Sequence, residues 1–394
     1  MAQGDPPRPG TARLGVFENH LVELEAADRR RRLRGRAGID FSSNDYLGLA
    51  AGAELRAAAA AALARGVAVG AGGSRLLRGQ DEEHAALERE AAAFFGVERA
   101  LFFGGGFQAN LAFFASAPQR GDLVVYDALI HASAHDGMRL GRAERAAFAH
   151  NDADAARDAI RAWRAEGGRG RAWIAVESLY SMDGDRAPLA ELAAAAAEDD
   201  AWLVVDEAHS TGVDGPGGRG LAAAFGLEGR DDVITLHTCG KALGASGALL
   251  CGPGVIAEFM VNRARPFIYA TAPSPLAAAI VRAALPLAAA ADDRRAALAA
   301  RVARLAAGLA PLAGRADVQA APSGSHVQPV ILGADARAMT AAGRLQRAGF
   351  DVRGVRPPTV PDGSARLRVA LTLNAGLGDV DALAAALADA LAAA

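Results

Sequence analysis

The chain has 394 residues, of which 52% are hydrophobic and 22% charged, and its formal net charge is −3. This length allows a large buried core and predicts two or three domains. The small net charge gives no electrostatic reason to expect nucleic acid or an anionic membrane as a partner. The two cysteines, Cys239 and Cys251, are too few for a disulfide framework or a structural zinc site.

The start of the chain predicts a short helical segment over residues 1–40. Its first residues lack the apolar core of a signal peptide, and no stretch has the roughly 18 consecutive apolar residues that span a bilayer. We therefore expect a soluble, cytoplasmic protein. The segment ends in a basic run, Arg29–Arg36, which is either a solvated helix end or a binding region for an anionic substrate.

Residues 41–283 predict a large α/β domain. Five short runs of continuous apolar residues are typical of strands that are buried on both faces of a parallel sheet. These runs begin at Ala100, Leu123, Trp173, Trp202 and Val233. The segments between them have helical spacing, as in Glu82–Phe95 and Ala153–Ala165, and this alternation indicates a mostly parallel sheet flanked by helices.

Residues 284–394 predict a smaller α+β domain. Two long stretches rich in Ala, Leu and Arg, roughly 276–313 and 379–393, have helical composition. They flank short apolar runs at Val327–Leu332 and Leu367–Leu371, which we interpret as strands.

Polar residues follow several of the predicted buried strands, at the edge where open α/β sheets bind ligands. The turn Gly104–Asn110 opens a helix with glycines, which suits a phosphate but is weak evidence alone. It does not match the dinucleotide pattern G-x-G-x-x-G, and the residues around Lys241 do not form a P-loop. His131 and the turn Glu177–Asp185 follow two further strands; read alone, each is an ordinary loop feature.

Asp206 and Lys241 together predict a pyridoxal phosphate (PLP) site. A carboxylate that ends a buried strand is costly unless a cation meets it, and a protonated pyridine nitrogen would supply that cation. A lysine packed among glycines can hold its amine, with a lowered pKa, against a bound aldehyde as a Schiff base. Asp206 and His209 could alternatively be a metal pair, but no third ligand stands at suggestive spacing.

The segments Asp206–Gly220 and Thr238–Lys241 resemble the α-oxoamine synthases, which are fold type I PLP-dependent transferases. The resemblance runs from Phe41–Gly48 to Arg356–Pro361 and so covers nearly the whole chain. It implies a large PLP-binding α/β domain, a smaller α+β C-terminal domain and, because such enzymes build their site between subunits, a homodimer.

The resemblance also implies roles for individual residues. Lys241, His131 and Asp206 would be catalytic: the Schiff-base lysine, the side chain stacked on the ring and the partner of the pyridine nitrogen. The other cofactor-binding residues would be Gly106, Phe107 and Thr238 at the phosphate, and Ser181 and His209 at the ring. The substrate side would hold Thr359, Arg356, Arg30, Asn44 and His84.

Within this family, Ser181–Asp185 and Arg356–Pro361 are most similar to the members that join L-alanine to a pimeloyl thioester with loss of CO2. The acyl group would arrive on coenzyme A or on an acyl carrier protein. The alternatives within the class are the acetyl, palmitoyl and succinyl transfers of related synthases, with glycine C-acetyltransferase first among them. A non-catalytic PLP-fold binding protein is the alternative from another class.

Overall fold

The computed structural model describes residues 11–312 and 314–392. The helices are α1 Thr11–Ala26, α2 Ala53–Ala64, α3 Glu82–Phe95, α4 Gly106–Ser116, α5 Ala132–Leu140, α6 Ala153–Ala165, α7 Leu189–Glu198, α8 Leu221–Ala224, α9 Gly254–Arg263, α10 Arg265–Ile268, α11 Pro275–Ala289, α12 Asp292–Leu309, α13 Asp335–Arg347 and α14 Leu377–Ala392. The strands are β1 Ile39–Asp40, β2 Arg99–Phe103, β3 Leu123–Asp127, β4 Glu144–Phe148, β5 Ala172–Glu177, β6 Ala201–Asp206, β7 Val233–Thr238, β8 Ala248–Gly252, β9 Val327–Gly333, β10 Phe350–Asp351, β11 Arg353–Val355 and β12 Ala365–Ala370.

A seven-stranded sheet forms the centre of the large domain, with the strand order β2-β8-β7-β6-β5-β3-β4. Its strands pair in parallel except at β8, which is antiparallel to both of its neighbours. Two clusters of buried apolar side chains cover the two faces of this sheet. The predicted α/β architecture with a mostly parallel sheet is therefore confirmed.

The five predicted strands are β2, β3, β5, β6 and β7. Every residue of β5 and β7 is buried, as continuous apolar runs require when helices cover both faces. The predicted helices Glu82–Phe95 and Ala153–Ala165 are α3 and α6, with the same boundaries. Asp81 and Asp152 cap these helices, because each side chain accepts a hydrogen bond from a backbone N–H in the first turn.

The C-terminal part contains a three-stranded antiparallel sheet in the order β11-β12-β9, so the predicted α+β character is present there. The predicted helical stretch 276–313 is two helices, α11 and α12, bent by 73° at their junction. The boundary predicted between residues 283 and 284 lies within α11, and the division into domains stays a prediction. The N-terminal segment joins this part, since β1 pairs in parallel with β10. Residues 1–10, 313, 393 and 394 of the predicted segments lie outside the described residues.

In the described chain, no helix alone combines the length and hydropathy needed to cross a membrane. By length and composition only, one bent pair passes such a test when joined, Pro275–Ala289 with Asp292–Leu312.

Parallel strands bring their carboxyl ends to one edge of the sheet. β6 ends at Asp206 and β7 at Thr238, and the turn after β5 leads into the Glu177–Asp185 loop. Helices α4 and α5 begin at this same edge and pack closely against each other. The sheet edge therefore gathers the residues that the sequence singled out.

Candidate active site

A cavity of about 160 Å³ lies at the carboxyl edge of the large sheet. Its lining combines the ends of β6 and β7 with the first residues of α4 and α5: Gly106, Phe107, Asn110, His131, Ser133, Glu177, Asp206, Ala208, His209, Leu236, Thr238 and Lys241. All three residues that we expected to be catalytic line this one cavity.

Asp206 is held as a buried carboxylate. One of its oxygens accepts a hydrogen bond from the Asn110 amide at 2.7 Å, and the other accepts from the backbone N–H of Ala208 at 2.9 Å. Each oxygen can still accept a further bond, since an ionised carboxylate has about four acceptor positions. Asp206 can therefore meet a cation in the cavity.

Lys241 is the first member of a chain of polar side chains. Its Nζ lies 2.6 Å from His209 Nε2, and His209 Nδ1 lies 2.5 Å from the Tyr46 hydroxyl. The Tyr46 hydroxyl donates to Asn44 Oδ1 at 3.0 Å, and Arg368 donates to the same oxygen at 3.0 Å. Because the Tyr46 hydroxyl donates its proton to Asn44 Oδ1, it accepts from His209, so the proton of His209 is on Nδ1 and Nε2 is left to accept from Lys241.

Burial controls the charge of these groups. It lowers the pKa of Lys241 to about 8, although the charges of Asp206 and Glu177 oppose this change. Burial, together with the neighbouring Lys241 charge, also lowers the pKa of His209 well below its usual value, so this imidazole is neutral. Lys241 thus has a neutral amine available near pH 8.

Glu177 lies in the same cavity and was not expected there. Burial, and next the charge of Asp206, raises the pKa of Glu177 to about 8. One carboxyl oxygen accepts from the backbone N–H of Ser181 at 3.0 Å, whereas the other is buried without a hydrogen-bond partner in the described chain. A buried polar atom without a partner is costly, so a ligand hydroxyl or N–H has a reason to bind here.

His131 is the N-cap of α5, and its ring orientation is fixed by Ser133. Nδ1 accepts from the Ser133 backbone N–H at 3.3 Å and lies 2.7 Å from the Ser133 hydroxyl. That hydroxyl accepts in turn from Asn110 at 3.0 Å, so it donates its own proton to His131. The proton of the neutral imidazole is therefore on Nε2.

The expected phosphate-binding residues lie at the start of α4. Gly105, the N-cap of this helix, has no side chain to bind the first N–H groups, which therefore remain available to an anion. Gly106 is adjacent to Thr238, since a Cβ built on Gly106 would lie 3.7 Å from the Thr238 hydroxyl. Phe107 follows, with half of its side chain exposed.

Ser181 lies beside the cavity rather than in its lining. Its N–H is bound to Glu177, and its carbonyl accepts from Arg368 at 2.6 Å. Asn44, expected on the substrate side, joins the network through its bonds with Tyr46 and Arg368.

Three of the residues expected on the substrate side lie together: Arg356, Arg30 and Thr359. Arg356 donates to the backbone carbonyl of Arg30 at 3.2 Å, and its buried Nε has no hydrogen-bond partner in the described chain. The guanidinium of Arg30 is directed to Glu25 at 3.5 Å, whereas that of Arg31 reaches the Thr359 hydroxyl at 3.5 Å. Arg31 is therefore better placed than Arg30 to meet a substrate next to Thr359.

The placement of His84 on the substrate side is not supported. This side chain is fully buried, and its Nδ1 accepts from the backbone N–H of Asp81 at 3.2 Å as part of the capping box of α3. Its Nε2 donates to the Pro273 carbonyl at 2.8 Å. With both ring nitrogens bound to backbone groups, His84 stabilises a helix start.

Sequence reasoning missed Arg368, Tyr46, Asn110 and Glu177. Arg368 had a detectable signal, because an arginine inside an apolar strand needs an anion or several acceptors. Asn110, Glu177 and Tyr46 lie in segments that stand out in the sequence, but their roles could not be predicted because these depend on contacts across the fold, such as the bond between Asn110 and Asp206.

The residues present fit pyridoxal phosphate. The cavity offers an amine for the aldehyde, a carboxylate for the ring nitrogen, and a helix N-terminus with a hydroxyl for the phosphate. A metal centre fits less well, because no group of three or more His, Cys, Asp or Glu side chains could hold an ion among the residues described.

Two comparisons, with protein families and with curated proteins, found matches over most of the chain. Residues 36–387 match the family described as aminotransferase class I and II. The chain is 45% identical over 354 residues to the 8-amino-7-oxononanoate synthase of Anaeromyxobacter dehalogenans, which covers 90% of this chain and 86% of that protein.

Two solved structures are also similar. The serine palmitoyltransferase from S. paucimobilis with a bound PLP–myriocin aldimine has a TM-score of 0.87 and 25% identity, covering 98% of this chain and 99% of the other. The 8-amino-7-oxononanoate synthase of Francisella tularensis has a TM-score of 0.74 and 28% identity, covering 90% and 98%.

Proposed function

The chain belongs to the family of the 8-amino-7-oxononanoate synthases, within the aminotransferase class I and II family, and from this premise we propose that it condenses L-alanine with a pimeloyl thioester. The products are 8-amino-7-oxononanoate, CO2 and the free thiol, a step of biotin biosynthesis. The observation that carries the proposal is the cavity in which Lys241, Asp206 and the start of α4 face one another.

Pyridoxal phosphate, when bound, supplies an aldehyde that holds the amino acid and a ring that stabilises negative charge at the α-carbon. Lys241 holds the aldehyde between turnovers, and Asp206 keeps the ring nitrogen protonated. The N–H groups at Gly106 and Phe107 bind the phosphate beside the Thr238 hydroxyl.

Lys241 also takes the α-proton of the substrate. An amine with an ordinary lysine pKa would be almost fully protonated at neutral pH, but burial lowers this pKa to about 8. The neutral His209 ring, held by Tyr46, orients the amine through its 2.6 Å contact with Nζ.

Arg368 binds the carboxylate of L-alanine. It is buried, it forms no ion pair within the described chain, and its bonds to Asn44 and the Ser181 carbonyl hold it next to the cavity wall. A guanidinium with free N–H groups matches a carboxylate in geometry and charge.

His131 donates its Nε2 proton to the thioester oxygen as negative charge develops there. Ser133 fixes the tautomer that makes this donation possible. At the other end of the acyl chain, Arg356 and Arg31 offer positive charge to the terminal carboxylate of a pimeloyl group. These two arginines favour a dicarboxylate-derived chain over an acetyl group.

The chain is also proposed to form a homodimer through an apolar surface that we call the apolar face. It consists of exposed side chains at Val69, Leu76, Leu77, Phe107 and Tyr269. The loops that carry most of them are joined, since Ala272 donates to the Gly73 carbonyl at 2.8 Å. Phe107 also lines the cofactor cavity, so a second subunit that covers the apolar face would complete the site.

Two measurements test the proposed function. Thiol release from L-alanine with pimeloyl-CoA should exceed release from glycine with acetyl-CoA; the reverse order would assign a different acyl transfer. The purified protein should absorb as a PLP Schiff base, and the band should be absent from Lys241→Ala. Absence of the band in the wild type after addition of PLP would favour a non-catalytic protein.

A further inference from the structure

A cluster of charged side chains outside the lining of the cofactor cavity centres on His150, in the turn after β4. His150 Nδ1 donates to Asp127, the last residue of β3, at 2.8 Å, and its Nε2 donates to Asp185 at 2.7 Å. Asn151 repeats this pattern, because its backbone N–H donates to Asp127 at 2.8 Å and its amide donates to Asp185 at 2.7 Å. Two consecutive residues therefore join the end of β3 to the loop that follows β5.

His150 is positively charged in this cluster. Burial favours the neutral ring, but the hydrogen bonds to Asp127 and Asp185 raise the pKa of His150 to about 10. An imidazolium donates from both ring nitrogens, so both bonds are charge-assisted and stronger than bonds between neutral groups. The Tyr180 ring packs edge-on against the imidazole, with the ring centroids 4.4 Å apart, and so restricts its rotation. His150 thus fixes the position of Asp185.

Asp185 lies in loop 179–186, which we call the joint loop because it contacts both the large sheet and the three-stranded sheet. The joint loop is closed at its base, where the backbone N–H of Tyr180 donates to the Asp185 carbonyl at 2.9 Å. Leu179 and Arg186 also pair there as an isolated antiparallel bridge. Because these bonds resist bending within the loop, the side-chain bonds of Asp185 hold the whole joint loop against the large sheet.

The joint loop packs closely on the three-stranded sheet. Arg366 on β12 donates to Asp183 at 2.6 Å and to the Met182 carbonyl at 3.2 Å. Gly184 has a φ of +72°, and a Cβ at this position would overlap the Val327 carbonyl on β9. The position of the joint loop and the positions of the side chains on β12 therefore depend on each other.

Arg368, two residues further along β12, is held directly by the joint loop. Its Nε donates to the Ser181 carbonyl at 2.6 Å, and its other hydrogen bond within the described chain goes to Asn44 at 3.0 Å. The Ser181 carbonyl is thus one of two acceptors that orient this buried guanidinium. A guanidinium recognises a carboxylate through a planar pair of N–H donors, so a small rotation loses part of that recognition.

We propose that His150 is a positioning residue for the amino-acid substrate: it holds the joint loop, and through the Ser181 carbonyl it keeps Arg368 oriented for the carboxylate of L-alanine. This inference rests on the proposed function, because Arg368 is the group assigned there to that carboxylate. The effect of His150 should appear in the affinity for L-alanine. The affinity for PLP should not depend on it, because the bonds that hold the Asp206 carboxylate come from outside the joint loop.

The test measures the Kd of L-alanine for the PLP-loaded enzyme from the change in cofactor absorbance, without an acyl donor. Lys241 is the only lysine in the chain, so no other lysine contributes to the Schiff-base band. The amide in His150→Asn can replace Nδ1 but does not reach Asp185, whereas the longer side chain in His150→Gln can replace Nε2. We expect the Kd of L-alanine to rise about tenfold in His150→Asn, as for the loss of one charge-assisted bond, and to recover in large part in His150→Gln. The Kd of PLP should be unchanged in both.

Asp185→Ala is a second test, which also decides the matter if His150→Asn does not fold. It removes the bonds from both His150 and Asn151 and should raise the Kd of L-alanine at least as much as His150→Asn. The double variant His150→Asn/Asp185→Ala should bind L-alanine no worse than Asp185→Ala, because both changes act through one contact. Asp152→Ala is the structural control: it removes the N-cap of α6, next to Asn151, and should lower the Tm without changing the Kd of L-alanine.

The outcomes separate this inference from the proposed function. If His150→Asn and Asp185→Ala bind L-alanine as the wild type does, or lose affinity for PLP in the same proportion, the positioning role is wrong. An equal loss in His150→Asn and His150→Gln would show that the ring acts on the fold as a whole, and would also overturn it. If the variants behave as expected but the wild type condenses L-alanine with no pimeloyl thioester, the role of His150 stands and the proposed function fails. A wild type that binds no L-alanine would overturn both.

Discussion

At the scale of single residues, Arg368 makes the most specific prediction. Arg368→Lys keeps the charge but loses the planar pair of donors that would bind the alanine carboxylate. We expect the KM for L-alanine to rise about 10- to 100-fold, or about 1.4–2.8 kcal/mol, with the KM for the acyl donor unchanged.

Arg366→Lys is the matched control for this experiment. Arg366 lies two residues earlier on β12, is similarly buried, and is already paired with Asp183 at 2.6 Å. This variant should lose stability without a change in the KM for L-alanine. Equal effects of both variants on that KM would show that Arg368 acts only through the fold.

The buried carboxyl group of Glu177 should make the free energy of unfolding depend on pH. Because burial raises its pKa from 4.5 to about 8, the folded chain keeps a proton that the unfolded chain releases. The stability from this group is present below the unfolded pKa and is lost as the pH rises toward 8. Lys241 makes stability depend on pH over a different pH range, from about 8 to 10.5, because burial lowers its pKa.

Glu177→Gln removes this titration. In chemical denaturation of the cofactor-free protein, its free energy of unfolding should vary less than that of the wild type between about pH 5 and 8, and should exceed it at pH 8 by on the order of 1–3 kcal/mol. Glu18→Gln, an exposed change on α1, provides the baseline. Parallel curves for wild type and Glu177→Gln would exclude a buried protonated carboxyl group.

At the scale of helices and strands, apolar continuity predicted five of the seven strands of the large sheet. β5 and β7 are buried along their whole length, and their composition alone predicted them as strands. β4 was missed because most of its residues are exposed and charged or alanine, so it lacks a buried run. The antiparallel β8 was missed although Ala248–Cys251 is a short apolar run that is buried in the sheet.

The residues of the candidate site were also predicted only in part. Lys241, Asp206 and the Gly106 turn were predicted because strand ends and glycines mark such positions in sequence. The network through Tyr46, Asn44 and Arg368 could not be predicted, since it joins residues more than 300 positions apart. The contacts of His84 do not support the substrate role predicted for it, because a histidine that caps a helix and one that binds substrate have the same sequence signal.

Two variants of His84 test whether this residue has a capping role or a substrate role. His84→Ala removes the capping acceptor and the bond to Pro273, and should lower the free energy of unfolding by about 1–3 kcal/mol. His84→Gln can replace the capping bond and should recover part of this loss. Neither should change the KM for either substrate, and a tenfold rise in both variants would restore the substrate role.

The contact between α4 and α5 makes a prediction about cofactor binding. A Cβ on Gly137 would lie 2.8 Å from Phe114 Cβ and 3.0 Å from the Asn110 carbonyl, so Gly137→Ala must separate the two helices. The separation should cost about 1–3 kcal/mol of stability. It should also weaken PLP binding measurably in an absorbance titration, because Asn110 on α4 holds Asp206 and Ser133 on α5 holds His131.

Gly378→Ala is the control for this change. A Cβ on Gly378 meets no atom within 4 Å, and alanine favours the helix by up to about 1 kcal/mol. It should be neutral or stabilising, with PLP affinity unchanged. If Gly137→Ala behaved in the same way, the packing of α4 on α5 would not control the cofactor site.

At the scale of the whole molecule, the apolar face connects assembly to cofactor binding. Leu77 is 84% exposed, and Phe107, which is half exposed, also lines the cofactor cavity. A second subunit that covers these side chains would close the cavity on its open side. Dimer formation and PLP affinity should therefore change together.

Leu77→Asp places a charge in this face and should shift the protein toward the monomer in sedimentation velocity, since an unpaired charge is costly in an interface. PLP affinity in an absorbance titration should fall with it, and both should recover at high protein concentration because assembly follows mass action. Val255→Asp is the matched control, since Val255 is 69% exposed on α9, outside the apolar face. A Leu77→Asp protein that stayed dimeric with full PLP affinity would contradict the proposed interface, and a monomer that kept that affinity would show that one subunit holds the cofactor unaided.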